Sequence, residues 1–141
     1  MSISRTSISE VIHEHREPLV VGPRSLSLMR RTVAGLVRNW GWGEVADKAT
    51  MCVAEMLSNV HQHVESGDCV LTLQSTSSSI RIVLSDSSPE LPVVSDPDWD
   101  SESGRGMFLL SKTADAWGAD PKDSGKDVWI EFHASEGRGA T

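Results

Sequence analysis

The feature that most constrains this chain is a pair of strand signals separated only by a polar turn. Cys69-Val70-Leu71-Thr72-Leu73 is apolar and β-prone, and Ile80-Arg81-Ile82-Val83-Leu84 alternates with Ile80, Ile82 and Leu84 on one side. Between them, Ser75 to Ser79 holds only serine and threonine. Two strands joined this closely make a hairpin and cannot both belong to a strict strand–helix–strand alternation. Doubly wound parallel architectures are therefore disfavoured.

The flanking segments carry the helical period. Leu26, Met29, Arg30, Val33, Leu36, Val37 and Trp40 recur at three- and four-residue intervals after Gly22-Pro23, which suits a helix start. Trp40-Gly41-Trp42-Gly43 ends that helix. A second helix is expected from about Glu44 to Val64, with a core stripe of Val45, Ala49, Cys52, Val53, Met56, Val60 and Val64. A third is expected from Gly104-Arg105-Gly106 through Met107, Leu110, Thr113 and Ala114, closing at Trp117-Gly118. A turn over Asp120 to Gly125 then leads to a last strand, Val128-Trp129-Ile130-Glu131-Phe132, and Leu19-Val20-Val21 offers a short edge strand. The order helix, helix, strand, strand, loop, helix, strand implies an α+β two-layer sandwich, a mixed β-sheet with helices on one face. Residues 1–16 read as an N-terminal arm, 17–134 as one domain and 135–141 as a flexible tail.

Charge narrows the function classes. The 141 residues carry 13 Lys+Arg against 20 Asp+Glu, a formal net charge of −7. Nucleic-acid backbones and anionic membranes both select a basic face, so neither is an expected partner. No apolar run approaches a membrane span and the first residues have no secretory pattern, so a cytoplasmic location is expected. Cys52 and Cys69 make no framework and read as reduced thiols. Asp96, Asp98 and Asp100 alternate like a calcium loop, but Ser101 and Met107 stand where that loop needs Gly and Glu. His13-x-His15 and His61-x-His63 lack the further ligands of a zinc site. There is no P-loop, no dinucleotide fingerprint and no G-x-S-x-G.

Three local constellations remain. On the second helix Glu55, Asn59 and His63 stack at i, i+4 and i+8, with Asn59 at the border of the apolar stripe and His63 within it. Such residues either line a cavity or are satisfied within the core. Asp86 closes the second strand, where it either faces a ligand at the sheet rim or starts an Asx turn. Gly104-Arg105-Gly106 opens a helix, where exposed N–H groups and the helix dipole suit a phosphate. The stretch from Ser87 to Ser103, with three prolines, five carboxylates and no basic residue, is a long surface loop.

In order, these segments resemble the boxes of the GHKL ATPase superfamily. Glu55-Met56-Leu57-Ser58-Asn59-Val60-His61-Gln62-His63 resembles the N-box, Asp86-Ser87-Ser88-Pro89 the G1 box and Glu102-Ser103-Gly104-Arg105-Gly106-Met107 the G2 box. Gly125-Lys126-Asp127-Val128-Trp129, with Trp40-Gly41 and Trp117-Gly118, is similar to the branch of bacterial anti-sigma factor serine kinases. The resemblance spans roughly residues 17 to 134. It implies the histidine kinase-like ATPase (Bergerat) fold and an Mg-ATP-dependent protein serine/threonine kinase. The implied acceptor is a STAS-domain antagonist, and partner switching regulates a sigma factor. It implies ATP and Mg²⁺ as cofactors, Glu55 as general base and Asn59 as the Mg²⁺ ligand. Asp86 would accept from the adenine amino group and His63 would line the pocket. Gly104, Arg105 and Gly106 would cradle phosphates, and the 87–103 loop would be the ATP lid. Relatives often form homodimers, which makes a dimer an expectation here.

The sequence also departs from the superfamily pattern. Ser88 replaces the first glycine of D-x-G-x-G, and Lys126-Asp127 stands where a threonine often approaches adenine. The loop acids Glu90, Asp96, Asp98, Asp100 and Glu102 repel a polyphosphate. These departures keep open a second reading, a partner-switch binding module of the same fold with weak nucleotide binding and no turnover.

Overall fold

The Ser/Thr hairpin is the centre of a five-stranded sheet. The computed structural model describes residues 10–64, 66–88 and 110–134. Along the chain run β1 (His13–Val20), α1 (Pro23–Asn39), a 3-10 turn (Gly43–Val45), α2 (Ala46–His63), β2 (Asp68–Ser75), β3 (Ser79–Asp86), β4 (Ala116–Lys122) and β5 (Gly125–His133). The spatial order of the strands is β1-β2-β3-β5-β4. The helices pack on one face, as the two-layer α+β reading expects.

The sheet, expected to be mixed, is antiparallel at every neighbouring pair. The reason lies in β4. The helical spacing predicts a third helix as far as Trp117-Gly118, yet the described part of that segment is one helical turn at 110–113 followed by a bend and a strand. Because β4 takes the outer position and turns back through Asp123-Ser124, β5 returns antiparallel between β3 and β4. Ala116-Trp117-Gly118-Ala119-Asp120-Pro121-Lys122 has little intrinsic strand preference, and pairing with β5 decides its conformation. Pro121 is tolerated because β4 has no further neighbour among the described residues.

At the opposite edge, β1 is longer than the apolar run Leu19-Val20-Val21 suggested. His13, Glu14, His15, Arg16 and Glu17 are polar on both faces, so no alternation of hydropathy betrays them. Backbone pairing with β2 holds the strand, and His13 stacks on Trp40 with ring centroids 5.1 Å apart.

The core lies between the sheet and the helices. Met29, Val33 and Val37 of α1 are buried, and so is the entire stripe expected on the second helix, Val45 to Val64. From the sheet come Leu71 and Leu73, Ile80, Ile82 and Leu84, and Val128, Ile130 and Phe132. The period-2 alternation of β2, β3 and β5 places these residues on one face. At the start of α1, Gly22 N donates to Ser25 Oγ at 2.8 Å, while Leu26 N bonds the Gly22 carbonyl. No described helix is long and apolar enough to cross a membrane.

Candidate functional site

The residues with chemistry gather where the apolar column between β3 and β5 ends. Ile80 pairs with Phe132, Ile82 with Ile130 and Leu84 with Val128, all on the helix-facing side. The next pair in that column is Asp86 with Lys126. Lys126 Nζ donates to Asp86 Oδ1 at 2.9 Å, and the two side chains are only 5% and 2% exposed. The same Oδ1 accepts from Ser88 N at 2.9 Å, so Asp86 does start an Asx turn. Lys126 Nζ also reaches the Ser88 carbonyl at 3.4 Å.

Gly125 makes this arrangement possible. Its φ is +154°, and a Cβ there would lie 1.8 Å from the Asp86 carbonyl oxygen. Only glycine allows β5 to start so close to the end of β3. A groove of about 540 Å³ wraps this end of the sheet, lined by Cys69, Asp86 and Lys126 on the helix-facing side and by Val70, Ser85 and Asp127 on the other. Cys69 pairs with Asp86 across β2 and β3. Burial pushes its thiol up to about 12, and the charges of Asp86 and then Asp68 add to the effect.

The second cluster is on α2. Glu55 and Asn59 are one turn apart and half-buried, at the margin of a helix whose Cys52, Met56 and Val60 are buried. Glu55 lines a hollow of about 380 Å³ with Arg30 of α1 and with Thr50, Met51 and Ala54 of its own helix. Its carboxylate is felt at Cys52, whose thiol is pushed up to about 11, first by burial and then by Glu55. Both cysteines are free and buried, as the sequence implied. His63 is the last residue of α2, and its side chain lies outside the described residues. Gly104, Arg105 and Gly106 lie outside them too, as does the 87–103 loop beyond Ser88.

The two clusters differ in how they suit a nucleotide. No group of three or more metal-ligating side chains assembles among the described residues. Mg²⁺ needs none, because it commonly takes one or two protein oxygens and completes its shell with water and phosphate. Asn59 on α2, with Glu55 one turn before it, fits that role. Asp86 fits its role less well, because Lys126 already neutralises it and fills Oδ1.

In the sequence Lys126 stands only as a departure from the superfamily pattern, and the fold sets it opposite Asp86. A signal was there. Lys126, Val128, Ile130 and Phe132 share one alternation, so a strand beginning at Gly125 must turn the lysine toward the core.

A family model described as histidine kinase-like ATPase domain matches residues 20–132. No curated protein matches the chain.

Proposed function

Because the chain belongs to the histidine kinase-like ATPase domain family, we propose that it is an Mg-ATP-dependent protein serine/threonine kinase. Its acceptor in this reading is a hydroxyl on a STAS-domain antagonist, and its second partner is a sigma factor released or held by that exchange. The observation that carries the reading is the pair Glu55 and Asn59, set one turn apart at the half-buried margin of α2 within the matched domain. Phosphoryl transfer asks a protein mainly for positioning and for a proton acceptor. Asn59 would hold Mg²⁺ against the phosphates, and Glu55 would accept the proton of the attacking hydroxyl. The likeness of Trp40-Gly41 and of Gly125-Lys126-Asp127-Val128-Trp129 to the anti-sigma branch supports the choice of acceptor.

A phosphoryl-transfer assay tests it. The purified protein is incubated with Mg²⁺, γ-labelled ATP and STAS-domain proteins from the same genome. Label is expected on a serine or threonine of one of them, with transfer abolished and ATP binding kept in Glu55→Ala. Transfer that survives Glu55→Ala, or none to any STAS protein, contradicts the kinase reading.

One observation favours the second reading, a partner-switch module with weak nucleotide binding. The carboxylate assigned to the adenine amino group is already paired with Lys126.

A further inference from the structure

We propose that Lys126 is an internal competitor for the carboxylate that recognises the base, so that Asp86 Oδ1 can accept from adenine only when the Lys126–Asp86 pair opens. The proposal rests on the nucleotide-site reading given above and specifies what sets affinity and base selectivity there.

Three observations carry it. The first is register. Asp86 and Lys126 are direct cross-strand partners on the helix-facing side, and Gly125 approaches the Asp86 carbonyl more closely than a residue with a Cβ could. The second is the occupancy of Oδ1. Oδ1 already accepts from Lys126 Nζ and from Ser88 N, both at 2.9 Å. The third is placement. The pair takes the last step of a column that is otherwise wholly apolar, and it does so at the groove rather than in mid-sheet.

Physical chemistry ranks the competitors. An ammonium donating to a carboxylate makes a charge-assisted bond, roughly twice as strong as one from a neutral amino group. A base that displaces it must also leave a cation, 5% exposed at present, in search of another acceptor. Stability alone is a poor reason for the pair, because well-packed apolar residues often replace a buried ion pair at no loss. The rows above show what such a pair looks like in this sheet, Leu84 with Val128.

The competitor is a positioning residue, so its test needs a readout that a merely structural role would not move. Base selectivity is such a readout. The full chain, as wild type, Lys126→Thr, Lys126→Gln and Lys126→Thr/Asp86→Asn, is titrated calorimetrically with Mg-ATP and with Mg-GTP. Circular dichroism confirms folding at the titration temperature. Lys126→Thr is expected to tighten ATP by about tenfold, as a hydrogen bond to a freed charged acceptor gives. GTP is expected to gain nothing, and the added Asp86→Asn should cancel the ATP gain. Lys126→Gln should fall between wild type and Lys126→Thr, and it carries the test alone if the threonine variant does not fold. Unchanged or weaker ATP binding overturns the proposal. So does a gain shared equally by GTP, or one that survives Asp86→Asn. In those cases wild-type ATP binding still stands and only the competitor is lost. If neither the wild type nor any variant binds ATP, the nucleotide-site reading falls and takes this proposal with it.

Discussion

Strands β3 and β5 carry two ion pairs of nearly equal length on opposite faces of one sheet. On the face away from the helices, Arg81 Nη1 donates to Glu131 Oε2 at 2.7 Å, with side chains 31% and 18% exposed. On the helix-facing side, Lys126 and Asp86 sit at 2.9 Å and are almost wholly buried. Distance does not separate them; solvent does. The outer pair can exchange its partner for water, and its guanidinium also lies 4.2 Å above the Trp129 ring, so removal of Glu131 strands nothing. The inner pair has no such alternative. Each partner is tolerable there only because of the other, so removal of one alone leaves a buried, uncompensated charge.

Substitutions can break that contrast. The largest effect is expected from Lys126→Met, which leaves Asp86 buried and uncompensated and should cost about 3–5 kcal/mol in urea unfolding. Making both members apolar, Asp86→Leu with Lys126→Met, should recover most of that loss. If the double variant is as unstable as the single one, the pair is not self-compensating.

Next comes Gly118→Ala in β4. A Cβ there would lie 2.5 Å from the Trp129 indole, so the ring must leave its place under Arg81. A loss of about 1–3 kcal/mol is expected from this overpacking, with a shift in tryptophan fluorescence. Unchanged emission and stability would show that the indole does not rest on Gly118.

Alkaline titration sharpens the contrast from the inner side, because Cys69 shares a row with Asp86. The thiols are raised from an ordinary value near 9 to about 11 for Cys52 and about 12 for Cys69. A folded pKa above the unfolded one means that the folded chain keeps its proton longer. This contribution is complete below about pH 9 and is lost as pH rises through 11 and 12. Wild type should therefore lose stability above pH 9 more steeply than Cys52→Ala/Cys69→Ala. Equal slopes would place the thiols in contact with water.

The smallest effect is expected from Glu131→Ala on the outer face, at most about 1 kcal/mol and weaker at high salt. A cost as large as that of Lys126→Met would erase the distinction between the faces.

How much was legible in the sequence follows the same division between pattern and pairing. The Val45–Val64 stripe, the hairpin and the last strand were visible because one period dominates each of them. β1 was not, since His13 to Glu17 is polar on both sides and only its pairing with β2 makes it a strand. β4 was misread because Trp117-Gly118 looks like a helix stop, whereas Gly118 is the seat of the Trp129 ring. Glu55, Asn59 and Asp86 could be named from spacing and strand position. That Asp86 already holds a cation could not, because it depends on the β3–β5 register, which no local pattern encodes.

Calorimetric titration with ATP, with and without Mg²⁺, of wild type and Asn59→Ala tests most directly the proposal that Asn59 on α2 holds a magnesium nucleotide. The account predicts Mg²⁺-dependent binding to the wild type that is lost in the variant. Binding that ignores both Mg²⁺ and Asn59→Ala, or no binding at all, would contradict it.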